Sequence, residues 1–155
     1  MDLTNQMHIA TKGSKIDISE EIQTAKIAKI FSSFLKKGNV VFFYGEIGVG
    51  KTTFIRYLIN EFQKINKLEI TEVTSPTFNL LNEYQINELK INHYDLFRLK
   101  SVEETKNLNL FDDSKNTINL IEWPQMVKEK PKNLIELVFE YGKDHVTRSV
   151  QIKGL

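Results

Sequence analysis

The chain has 155 residues, a formal net charge of +1 and 26% charged residues, so no strong field draws the whole molecule to nucleic acid or to a membrane surface. Its hydrophobic content of 41% is ordinary for a globular protein, and no apolar run approaches the ~18 residues of a membrane span. There is no cysteine, which excludes disulfides, zinc–thiolate centres and thiol catalysis and suits the reducing cytoplasm.

In chain order, the start lacks the apolar core of a secretion signal, and Met7 to Ala10 read as a short edge strand. Ser19 is placed to cap a helix whose first turn carries Glu20 and Glu21. Ile27, Ile30, Phe31, Phe34 and Leu35 recur at helical spacing, and Lys36, Lys37 and Gly38 supply a basic, glycine-closed end. Val40-Val41-Phe42-Phe43-Tyr44 is an unbroken apolar run, the pattern of a strand buried on both faces.

That strand leads into Gly45, Glu46, Ile47, Gly48, Val49, Gly50, Lys51, Thr52 and Thr53, which fit the phosphate-binding pattern G-x-x-x-x-G-K-[ST]. Glycines let successive backbone N–H groups turn inward to phosphate oxygens. Lys51 brings a compact positive charge to the β- and γ-phosphates, and the Thr52 hydroxyl can reach a Mg²⁺ ion that bridges them. Phe54, Ile55, Leu58, Ile59 and Phe62 then mark a helix, whose positive dipole end faces the same anion. Strand, glycine loop and helix are the context in which this motif binds a nucleoside triphosphate.

Ser75-Pro76-Thr77 flanks a stiff proline with two hydroxyls. It fits either a loop ordered by a γ-phosphate or metal, or a plain strand-entry turn. Phe78–Tyr84 and Leu89–Tyr94 read as a hairpin around a turn at Gln85–Glu88. Ser101 and Glu104 form a capping box that opens a short helix. Hydrolysis needs an acid near the metal, and two apolar strands end in one: Ile91 to Asp95, and Ile118 to Glu122. At least one of Asp95 and Glu122 is expected to serve the site. Trp123 either fills core or lies beside the nucleotide, whereas His93 and Tyr94 read as packing residues. Pro124 and Pro131 bracket a loop or broken helix. Leu134–Tyr141 and Val146–Ile152 flank a turn as a terminal hairpin. The elements sum to one α/β domain over residues 1–155, with the three-layer fold of P-loop NTPases and a mixed parallel and antiparallel central sheet.

A small nucleoside or metabolite kinase would share the P-loop, but it usually needs an arginine-bearing lid. This chain has three arginines, Arg56, Arg98 and Arg148, and no basic lid segment. Arg56 lies one turn beyond Thr52 and is expected to point away from the phosphates, which leaves Arg98 as the arginine next to a site residue. A guanine-reading Asn/Thr-Lys-x-Asp motif is not found in a suitable place, so adenine is the expected base.

Taken in order, GEIGVGKTT, TSPTFNLLNEY, HYDLFRL with VEETKNLNL, and LIEWPQ resemble the bacterial TsaE (YjeE) family, the small ATPase of tRNA threonylcarbamoyladenosine synthesis. The resemblance spans about Glu21 to Gln125. It implies that Gly45 to Thr53 hold ATP, that Thr52 and Glu122 ligate Mg²⁺, and that Lys51, Asp95 and Glu122 are the catalytic set. It also implies that Thr77 sits in a switch-like loop, and that Glu21 or Thr24 approaches the adenine. The implied partners are the transferase TsaD and its paralogue TsaB, with tRNA met only through them and no membrane involved. Two departures stand out: Glu46 replaces a frequent Asp, and LNLFDD lacks a usual glycine.

Overall fold

The computed structural model describes residues 13–112 and 115–155, so the strand expected at Met7 to Ala10 lies outside the described residues. In chain order the elements are β1 (Ile16–Asp17), α1 (Glu21–Ser32), β2 (Val40–Tyr44), α2 (Lys51–Ile65) and the hairpin β3 (Leu81–Ile86) and β4 (Leu89–Asp95). Then follow α3 (Val102–Lys106), β5 (Thr117–Glu122), a 3₁₀ turn at Pro124–Met126, and the hairpin β6 (Leu134–Tyr141) and β7 (Arg148–Lys153). All seven strands join one sheet in the order β1-β7-β6-β2-β5-β4-β3. Its centre is parallel, with β2 between β5 and β6 and β4 beside β5, while both edges are antiparallel. The mixed α/β sheet expected from the sequence is therefore present.

Period-two alternation sorts the central strands onto two faces. Val41, Phe43, Ile91, Ile118, Leu120, Leu137 and Phe139 pack under α1 and α2. Val40, Phe42, Tyr94 and Ile121 face a thinner layer built from Leu96, Leu110 and Val127. Phe54 joins the first layer to the sheet. Its ring centroid lies 5.7 Å from Phe31 on α1, 6.0 Å from Phe43 and 5.7 Å from Phe139. Fully burying a phenylalanine stabilises by roughly 1.5–3 kcal/mol, and here that burial also fixes the start of α2 over the end of β2.

Several boundaries differ from expectation where local hydrogen bonds redirect the chain, most of them from a side chain to nearby backbone. Ser19 does not cap α1. Its amide and hydroxyl both donate to Asp17 Oδ1, at 2.9 and 2.5 Å. Glu20 takes the cap position, its amide donating to Gln23 Oε1 at 3.1 Å. The helix ends at Ser32, not near Gly38, because Ser32 and Ser33 each donate to a carbonyl three residues back at 2.6 Å. Phe34 is consequently exposed. Phe78 is 85% exposed and outside β3, since Leu80 N–H donates to Pro76 O at 2.7 Å and turns the chain there. The β3–β4 turn narrows to Asn87–Glu88, with Asn87 at a φ of 55°. Val146 also leaves its expected strand, because Asp144 Oδ1 accepts from the amides of Val146 and Thr147, both at 2.9 Å. The capping box at Ser101 and Glu104 forms as expected.

Candidate functional site

The glycine loop leaves β2 under tight steric control. A Cβ on Gly45 would stand 2.8 Å from Val49 Cγ1 and 2.9 Å from the carbonyl oxygen of Phe139. Gly50 caps α2 at a φ of 115°, in the left-handed region that side chains disfavour. Between them the loop curls so that Gly48, Gly50, Lys51, Thr52 and Thr53 border a cavity of about 410 Å³. Tyr141 pins the outer bend by donating its hydroxyl to Ile47 O at 3.3 Å. Val49 is different from its neighbours: its side chain is fully buried and its amide donates to Glu46 O at 3.2 Å, so it anchors the loop from below. Gly45 and Glu46 do not border the cavity, and the Glu46 side chain is exposed.

Lys51 is 4% exposed, and its ammonium donates to Gly45 O while sitting 3.5 Å above the centroid of the Trp123 ring. Burial lowers its pKa, and the nearby carboxylates of Glu122 and Asp95 oppose that shift. Trp123 holds a left-handed φ of 58° and packs on Phe97 with centroids 4.8 Å apart. It borders the cavity while also packing, half-buried, against the layer of Phe42 and Leu96.

The register of the sheet brings the acids together. Asp95 on β4 pairs with Glu122 on β5, and Glu122 pairs with Phe43 on β2, so both carboxylates stand on the α2 side at the carboxyl ends of parallel strands. Thr52 Oγ donates to Glu122 Oε1 and Oε2 at 3.0 and 3.2 Å. Asp95 Oδ2 accepts from Ser75 Oγ at 2.5 Å, and Ser75 lies 3.1 Å from the Thr77 hydroxyl. The second oxygen of Asp95 accepts from the Phe97 amide at 3.0 Å. Ser75 and Thr77 thus border the cavity together with both acids.

His93, expected to be a packing residue, is packed and also makes a polar contact. It is wholly buried two residues before Asp95, on the same face of β4, and its Nε2 lies 2.7 Å from Glu122 Oε2. Nε2 faces the carboxyl group, while Nδ1 is left buried without a partner among the described residues. The period of two could have found it. Arg148 is a second residue the sequence did not single out for the site, and it borders the cavity from β7. Thr24, by contrast, is buried within α1 and does not border the cavity. Glu21 beside it accepts from Arg56 and from the Tyr57 hydroxyl at 2.5 and 2.8 Å.

The donor set suits a hard cation. Among the described residues no three His, Cys, Asp or Glu side chains converge on a metal. One hydroxyl and one carboxylate do converge, the sparse oxygen set of a Mg²⁺ that keeps its waters and shares phosphate ligands. No described helix is long and apolar enough to cross a membrane.

A family model described as threonylcarbamoyl adenosine biosynthesis protein TsaE matches residues 18–150. The chain is 41% identical to the tRNA threonylcarbamoyladenosine biosynthesis protein TsaE of Rickettsia bellii over 80% of its length and 84% of that protein's. Against the proteins of the same name from Nostoc sp. and Bacillus subtilis, identity is 32% and 31%, over 90% and 79% of this chain and 85% and 74% of those. The crystal structure of Bacillus subtilis YdiB superposes with a TM-score of 0.65 at 22% identity, covering 92% of this chain and 86% of that one, a likeness of fold.

Proposed function

The chain belongs to the TsaE family of tRNA threonylcarbamoyladenosine biosynthesis proteins, and we propose that it is a Mg²⁺-dependent ATPase whose cycle supports turnover of a TsaB–TsaD-like transferase complex. The observation that carries this reading is the meeting of Thr52, at the end of a glycine phosphate loop, with the buried carboxylate of Glu122. Those two side chains would hold the metal, which when bound neutralises charge on the β- and γ-phosphate oxygens.

The chain's own groups do the remaining work. Backbone N–H groups of the loop and the start of α2 bind the phosphates, and the Lys51 ammonium moves from Gly45 O and the Trp123 ring onto them. His93 fixes the rotamer of Glu122 from below. Asp95 holds the Ser75–Thr77 loop through Ser75, so that the loop closes the acid end and excludes water other than the nucleophile. Hydrolysis then forms a bond from water oxygen to the γ-phosphorus and breaks the bond to the bridging oxygen, leaving ADP and phosphate. The chain would meet tRNA only through the transferase complex.

Reconstitution tests this reading. Threonylcarbamoyl incorporation into tRNA is measured with the transferase complex, with and without this protein and Mg²⁺-ATP. The expected outcome is repeated turnover only when protein and ATP are both present. Equal turnover without the protein would reject the proposal.

A further inference from the structure

We infer that Arg148 is the nucleoside-end contact of the cavity, with its guanidinium laid flat against the purine base. The inference rests on the triphosphate-site reading above and extends it. The β6–β7 hairpin outruns the strand it flanks: β2 ends with Tyr44 opposite Val138, while β6 continues to Tyr141, which pairs with Arg148. Three further residues at ~3.3 Å each lift this corner about 10 Å, to the level of the glycine loop. The Tyr141 bond to Ile47 fixes the hairpin there.

Parity places Arg148 on the α2 side, since Val150 and Ile152 of the same strand face that core. It therefore shares a face and an end of the sheet with Glu122 and Asp95 but lies on the other side of β2. Four strand intervals separate β7 from β4, roughly 19 Å at ~4.8 Å each. The acids and the Ser75–Thr77 loop take one end of that row, and the phosphate loop takes the middle. A triphosphate whose γ end meets the acids directs its sugar and base toward Arg148.

Arg148 is prepared for a ligand. Its backbone is fastened on both sides, its amide donating to Ser19 Oγ at 3.0 Å and its carbonyl accepting from Ile18 N–H at 2.9 Å. Its Nε is buried with no hydrogen-bond partner among the described residues. The guanidinium carbon lies 5.6 Å from the centroid of Tyr141, and the charge makes no ion pair with a described residue. A planar cation held beside an aromatic ring, with an open cavity before it, matches the π-face of a purine.

Calorimetry with two ligands, Mg²⁺-ATP and Mg²⁺-tripolyphosphate, tests the inference, since the second has phosphates but no nucleoside. Arg148→Ala should weaken ATP about tenfold while tripolyphosphate stays within about twofold of wild type. Arg148→Lys, which keeps charge and stem but not the planar fork, should resemble Arg148→Ala; this variant also covers the case in which truncation impairs folding. Equal losses for both ligands would make Arg148 a phosphate contact and overturn the inference. Unchanged ATP affinity in either variant would overturn it too. Failure of the wild type to bind either ligand would instead remove the triphosphate reading, and this inference with it.

Discussion

The Lys51 ammonium lies in a nearly dry place, with a carbonyl on one side and an indole face on the other. On the proposed function a phosphate would displace both, and a charge-assisted bond to it would be worth about 1.5–3 kcal/mol. Lys51→Ala should therefore weaken Mg²⁺-ATP by roughly 10- to 100-fold, measured by calorimetry. The same geometry makes Trp123, the sole tryptophan, a reporter, since departure of the ammonium from its ring changes the indole environment. Saturating Mg²⁺-ATP should shift its emission, and an unchanged spectrum would count against Lys51 leaving the ring. Glu122 and Asp95 are expected to matter for turnover more than for folding. Glu122→Ala and Asp95→Ala should each cut ATP hydrolysis by about 10²-fold or more, and normal rates in both would remove the acid assignment.

At the scale of elements, the phosphate loop depends on what lies beneath it. Phe54 wedges α2 between Phe31, Phe43 and Phe139, so Phe54→Ala should destabilise by about 3–5 kcal/mol in urea unfolding. A loss under about 1 kcal/mol would mean that the layer repacks. The turn into α1 responds to acid. Hydrogen bonds from the Ser19 hydroxyl and amide hold the Asp17 carboxyl below its ordinary 3.8. Its stabilisation is whole above that value and is lost as pH falls through the lower folded value, because the unfolded chain binds the proton first. Asp17→Asn should therefore flatten the fall in urea midpoint between about pH 5 and pH 2, and an unaltered slope would disprove it. Such local bonds also explain what was legible in the sequence. Buried strands such as β2 and β5 and the capped α3 were readable from periodicity and a cap. The boundaries at Ser19, Ser32, Phe78 and Val146 were not, because local hydrogen bonds outweighed the pattern there: side-chain bonds at Ser19, Ser32 and Val146, and the backbone bond from Leu80 to Pro76 at Phe78. Within the site, Lys51, Thr52, Glu122 and Asp95 were readable because motif or strand end marks them. Period two puts His93 on the face of Asp95, but its bond to Glu122 follows from sheet register, and Arg148 acquires its place only from a hairpin that outruns its neighbour.

The molecule as a whole distributes its positive charge unevenly about the cavity. All three arginines are in view. Arg56 is held by Glu21 on the outer side of α2, Arg98 rests 5.3 Å over the Phe78 ring, and Arg148 stands across β2 from the acids. The end that Glu122, Asp95 and the Ser75–Thr77 loop surround has Lys51 as its one bordering cation among the described residues. Phosphoryl transfer spreads charge over the equatorial oxygens, and a positioned arginine there is worth about 10³–10⁵ in rate. Alone, then, the protein should bind ATP well and hydrolyse it slowly. The missing charge, or the loop order that substitutes for it, is expected from another chain, and Phe78 and Phe97, exposed beside that loop, leave its rim uncovered. Steady-state ATP turnover measured with and without the transferase complex decides the matter. Acceleration by the complex is the expected outcome, and fast turnover that ignores the complex would reject partner dependence while leaving the nucleotide site as described.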